Sequence, residues 1–180
     1  MDSRQRSWPR IWLMTDERIG DRLWEVVDRL PEGAAIVLRH YSLHAAEREA
    51  LAERIRELAG QRGLTLAVGA DVELAKRLGA DLVHNPGREA GDLPFSRAVH
   101  SVEQAELAAR DGAALVFVSP VHATRSHPHA EPLGLERAVE IARAAGVPAI
   151  AMGGVNAVNF ARLKRAGFYG WAGIDAWLTR

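Results

Sequence analysis

Short apolar runs alternate with longer amphipathic ones along the whole chain. Runs rich in Ile, Val, Leu or Ala predict strands at 11–15, 35–39, 65–69, 82–84, 97–99, 114–118, 149–152 and 170–173. Continuous apolar runs of this length suit strands buried on both faces. Between them, apolar residues recur at helical spacing. Leu23, Val26, Val27 and Leu30 mark a helix over 21–30, and Leu51, Ile55 and Leu58 mark one over 45–62. Further helices are predicted over 72–78, 101–110, 135–145 and 156–166, the fourth of these six capped by Ser101. A glycine follows most of them, and a new apolar run follows the glycine.

Eight strands separated by helices predict an α/β fold, a small (β/α)8 or TIM barrel. An open doubly wound sheet is the alternative. The first ten residues read as a polar extension and 11–180 as one barrel domain. The segment 85–95, with two Gly and two Pro, is too broken for a full fourth helix, and too little chain follows Asp175 for a full eighth. Trp8, Trp12, Trp171 and Trp177 then fall near the closing seam. They either fill the gap left by the short last helix or form a homo-oligomer interface, where aromatic residues are enriched.

Composition narrows the function. Lys and Arg number 23, as do Asp and Glu, so nothing resembles the basic footprint of a nucleic-acid binder. No apolar run approaches the length of a membrane span. The polar N-terminus and the absence of cysteine point to a cytoplasmic protein without disulfides or thiolate chemistry.

In such a barrel the chemistry sits at the strand C-termini. Those positions carry Thr15-Asp16, Arg39-His40, Asp71, His84-Asn85, His100-Ser101, Gly153-Gly154 and Asp175. The sixth strand feeds a sixteen-residue loop, 119–134, holding three His, an Arg and three hydroxyl residues. Loops that long in compact domains are usually functional. Gly153-Gly154 after strand seven reads as a phosphate site, since bare glycines let backbone N–H groups approach an anion. Its plainer reading is a tight turn. For the histidines three readings stand: general acid/base work, a metal site built on His127, His129 and Glu131, or solvated loop residues. Arg39, at the end of a buried strand, needs Asp16, Asp71 or an anionic ligand beside it.

The segments 12–16 (WLMTD), 79–84 (GADLVH), Val99-His100-Ser101 followed by Glu103-Gln104-Ala105, 118–124 (VSPVHAT), Gly134-Leu135-Glu136 and 149–155 (AIAMGGV) occur in this order. Together they resemble the thiamine phosphate synthase/TenI superfamily over roughly 12–176. The resemblance implies a barrel of thiamine biosynthesis that binds a phosphorylated thiazole- or pyrimidine-type ligand at its strand C-termini. It implies substrate contacts at Arg39, Thr124, Ser126, His127, Gly153 and Gly154, and a Mg2+ carboxylate at Glu89. The synthase reaction, a transferase step, joins a pyrimidine methyl diphosphate to a thiazole phosphate with Mg2+. The TenI branch, an isomerase, tautomerises a thiazole carboxylate phosphate with a loop histidine. That histidine aligns with Pro120, and His122 lies two residues later, a shift that preserves facing on an extended strand.

This chain departs from the synthase pattern. Ala70 stands where the family has a Mg2+-binding aspartate, and Asp71 comes one position late. His127 replaces a lysine, and Asp175 replaces a serine that helps hold phosphate. Three functions therefore stay open: a synthase-like transferase, a tautomerase with His122 or His100 as acid/base, and a non-catalytic ligand-sensing or partner-binding barrel.

Overall fold

The structure, a computed structural model, describes residues 7–87, 90–126 and 128–178. Eight parallel strands close into a barrel in sequential order: β1 (Ile11–Met14), β2 (Ala35–Leu38), β3 (Thr65–Gly69), β4 (Leu82–His84), β5 (Phe95–Val99), β6 (Leu115–Val118), β7 (Ala149–Met152) and β8 (Gly170–Gly173). β8 closes on β1 through the pairs Ile11 with Trp171, Trp12 with Ala172 and Leu13 with Gly173. This excludes the open sheet. Among the described residues the helices are α1 (Leu23–Asp28), α2 (Ala45–Arg62), α3 (Val72–Leu78), α4 (Val102–Arg110), α5 (Gly134–Ala144) and α6 (Phe160–Arg165). Among the described residues none joins β4 to β5, and a 3-10 turn, Asp175–Trp177, follows β8. None is long and apolar enough to cross a membrane.

Local chemistry sets most helix ends. α2 and α3 stop at Gly63 and Gly79, both left-handed. Two helices are shorter than the periodicity predicts. The helix expected over 21–30 is α1 alone, Leu23–Asp28, preceded by a 3-10 segment, Glu17–Arg22, that is kinked at Gly20 with φ +56°. The helix expected over 156–166 begins only at Phe160. The Asn156 carboxamide oxygen accepts from the N–H groups of Val158 and Asn159 and holds the preceding turn apart.

The tryptophans divide. Trp171 is buried and stacks on Trp177 with ring centroids 5.2 Å apart and planes at 14°. The stacked pair lies against β8. Trp12 corrects the seam reading. It points into the barrel, edge-on to Phe117 at 5.2 Å, and Phe117 in turn meets the His84 ring at 4.9 Å. The end of the N-terminal extension is not simply polar: Trp8 is buried and its carbonyl accepts from the Tyr169 hydroxyl.

Candidate active site

The C-terminal ends of the strands are built for polar display. His40, Ala70 and Asn85 end β2, β3 and β4 with φ of +32°, +63° and +49°. Such conformations cost energy in non-glycine residues and persist where neighbours hold them. Here they are held: the Ala70 N–H donates to the His84 carbonyl, and the Asn85 side chain accepts from the Ala98 N–H at 2.7 Å.

A cavity of about 620 Å³ opens at this end of the barrel. Its walls come from the ends of β2, β5, β6, β7 and β8. They include Arg39, His100, Thr124, Arg125, Ser126, the stretch from Met152 to Asn156, and Asp175. The sequence-predicted residues Arg39, His100, Thr124, Ser126, Gly153 and Gly154 are thus brought together. His122 is not among the lining residues. His127 and Glu89 lie outside the described residues, and with them the His127-x-His129 metal reading. A second concavity of similar volume lies near Arg10, Arg143, Lys164 and Tyr169. It holds no histidine or carboxylate and sits away from the strand C-termini.

The long loop is anchored at both ends. Val121 and His122 donate their N–H groups to the carbonyls of Met152 and Gly153, and Leu133 and Gly134 donate to Pro120 and Val121. Successive N–H groups of a straight strand point to opposite sides. Here two in a row reach β7, so the alternation that would give Pro120 and His122 the same facing is broken. Pro120 lines the cavity, whereas the His122 Cβ sits behind Gly154.

Gly153 and Gly154 have φ of +89° and +63°. A Cβ on Gly153 would lie 2.7 Å from the Pro120 Cα, and one on Gly154 would lie 2.5 Å from the Ala123 carbonyl. Both positions therefore require glycine on two counts, conformation and close approach. The result is bare backbone lining the cavity beside Asn156.

The histidines take distinct roles. His84 is sealed in the barrel, its Nδ1 3.0 Å from the Ser96 hydroxyl. Burial, and then the positive charges of Arg39 and Arg97, push its pKa down to about 3. His40 is buried with Nδ1 2.9 Å from the Thr15 hydroxyl, and burial again lowers its pKa. His44 caps α2. His100 lines the cavity with Nδ1 2.6 Å from the Ser119 carbonyl oxygen. A carbonyl can only accept, so Nδ1 carries the proton and Nε2 is the basic nitrogen of the neutral ring.

Arg39 approaches Asp16 at 3.9 Å while lining the cavity. The other carboxylate considered for it, Asp71, is engaged elsewhere. One of its oxygens accepts from the Leu74 N–H at 2.9 Å, and the other lies 3.3 Å from Arg48. Arg48 also donates to the carbonyls of Arg39 and Gly69, tying the ends of β2 and β3 together. Its position on the buried stripe of α2 with Ala52, Ile55 and Ala59 was the legible signal for this role.

These engagements bear on Mg2+. Ala70 offers no donor, and both oxygens of Asp71 are committed to a helix N-terminus and a guanidinium. Among the described residues no group of three or more His, Asp or Glu could hold a metal ion.

Sequence reasoning missed Arg18, two residues beyond the Thr15-Asp16 strand end. Its Nε donates to Asp16 at 2.8 Å, its Nη2 to the Ser126 hydroxyl at 3.0 Å, and its Nη1 lies 3.6 Å from Asp175. Reading the β1 terminus a residue or two further would have found it.

Fold and site define a small (β/α)8 barrel with a cation- and glycine-lined cavity at its strand C-termini. Comparison with known proteins makes the class specific. The family model for thiamine monophosphate synthase matches residues 11–177. A putative thiamine-phosphate synthase 2 of Aquifex aeolicus is 30% identical, with 94% of this chain and 98% of that protein covered. A thiamine-phosphate synthase of Roseiflexus castenholzii is 36% identical, with coverages of 92% and 79%. The solved thiamine phosphate pyrophosphorylase of Pyrococcus furiosus superposes with a TM-score of 0.82 at 25% identity, covering 93% of this chain and 86% of that one. The chain belongs to the thiamine monophosphate synthase family.

Proposed function

We propose that the protein binds a phosphorylated thiazole at the mouth of its barrel and isomerises it by proton transfer through His100. The observation that carries this is the fixed tautomer of His100. Its Nδ1–H is held by the Ser119 carbonyl, and it shares one cavity with Gly153 and Gly154. An isomerisation takes a proton from one carbon and returns one to another. A single imidazole serves both halves through Nε2, and no metal is required. The phosphate would lie against the bare backbone of Gly153 and Gly154, with cationic balance from Arg39 and Arg125. The heteroaromatic ring would occupy the apolar part of the cavity near Met152 and Val155.

The test is turnover of a thiazole carboxylate phosphate, followed by ultraviolet absorbance. His100→Asn should retain ligand affinity within about threefold and lower kcat at least a hundredfold, the usual scale of lost acid–base catalysis. Undiminished turnover in His100→Asn overturns the assignment. Saturable binding with no turnover in the wild type supports the ligand-sensing alternative.

A synthase-type transfer is the second reading. The names of the relatives favour it, as does the presence of Thr124, Arg125 and Ser126 on the same cavity wall. Its metal would depend on Glu89, and its signature would be Mg2+-dependent release of diphosphate. The cysteine-free sequence supports a cytoplasmic location. Self-association through the Trp177 face is a separate proposal, decided by light scattering.

A further inference from the structure

Asp175 poses a difficulty for any anionic ligand. It is one of the cavity-lining residues, and it follows the strand that closes the barrel. A carboxylate within a few ångströms of a phosphate costs binding energy, because like charges at a partly desolvated site repel strongly. The structure supplies a counterweight from a different loop. Arg18 reaches across from the end of β1 with all three guanidinium nitrogens committed: Nε to Asp16 at 2.8 Å, Nη1 to Asp175 at 3.6 Å and Nη2 to the Ser126 hydroxyl at 3.0 Å. It therefore joins the loops after β1, β6 and β8. Asp16 also lies 3.9 Å from Arg39. Among the described residues, Arg125 lines the same cavity without a carboxylate partner. With Arg18 in place, three guanidinium groups face two carboxylates at the mouth, and the balance is positive. Without it the balance is nil and Asp175 is unpaired.

We propose that Arg18 is the specificity-determining residue that lets this barrel accept a phosphorylated ligand despite Asp175. It acts on charge, by neutralising the Asp175 carboxylate. It acts on position, by holding Ser126 of the long loop at the same rim. It is a positioning residue, since it works through Asp175 and Ser126. The inference rests on the phosphorylated-thiazole reading above, and it adds Arg18, which the strand-end motifs do not contain.

The test is isothermal titration of thiazole phosphate and of its unphosphorylated alcohol into four proteins: wild type, Arg18→Ala, Asp175→Ser and the double variant. The Arg18 side chain is 41% exposed, so its removal leaves the core untouched, which a thermal scan verifies. Arg18→Ala should weaken thiazole phosphate at least tenfold while changing the alcohol by less than about twofold. The double variant should recover most of the loss, because the repelling carboxylate has gone with its partner. A purely structural role for Arg18 would weaken both ligands alike and would not be rescued by Asp175→Ser; either result overturns the proposal. An unchanged affinity in Arg18→Ala overturns it as well. If wild-type protein takes up neither thiazole phosphate nor inorganic phosphate, the anion site itself is refuted, and this inference falls with it.

Discussion

His84 turns a buried polar contact into a measurable pH dependence. Its imidazole is enclosed by the barrel, bonded to Ser96 and edge-on to Phe117. Its pKa is pushed down to about 3 from an ordinary 6.5. In the unfolded chain it takes a proton below about pH 6.5, and in the folded barrel only near pH 3. Between those values the unfolded state binds more protons. Stability is therefore full above pH 6.5 and falls as the pH is lowered towards 3. The slope approaches ~1.4 kcal/mol per pH unit, and the whole window is worth about 5 kcal/mol. His40 and Glu17 also have lowered values in the folded protein and steepen the wild-type curve in the same direction. The informative quantity is thus a difference of slopes. The perturbation is His84→Leu combined with Ser96→Ala, so that no hydroxyl is orphaned. Urea unfolding followed by tryptophan fluorescence between pH 7 and pH 4.5 should give a shallower line for the variant, by about 1 kcal/mol per unit. Parallel lines would refute the reasoning. So would an NMR titration of the wild-type His84 ring with a midpoint above pH 5, a readout that needs no variant to fold.

Two further outcomes follow from close contacts. Gly153→Ala must place a Cβ 2.7 Å from the Pro120 Cα at a positive φ. It should lose at least about 2 kcal/mol of stability, and any phosphorylated ligand should bind more than tenfold weaker, as read by calorimetry. Trp177→Ala removes the stacking partner of Trp171 and uncovers β8, so it should cost about 2–3 kcal/mol by chemical denaturation. Light scattering on the same variant separates gap filling from self-association: an unchanged mass identifies the former.

The sequence by itself determined the barrel. Burial of a strand on both faces and of one stripe of a helix leaves a periodic record, and glycines after helices mark the turns. The broken connection between β4 and β5 was legible for the same reason, since proline and glycine are local facts. The Gly153-Gly154 turn and the family motifs were equally plain. Only the tertiary structure decided what the polar residues do. Thr15 and His40 meet across the ends of β1 and β2, His84 finds Ser96 across β4 and β5, and Asp71 is taken by Arg48 from a preceding helix. These partnerships depend on strand register, which no single segment records. Trp12 turned inward rather than to the seam because its facing is set by pairing with both β2 and β8. Arg18 and Asp175 lie more than 150 positions apart in sequence, and become neighbours only because the last strand closes on the first. The apolar periodicity of a chain says which frame it builds. Which charges that frame sets face to face depends on how the ring closes.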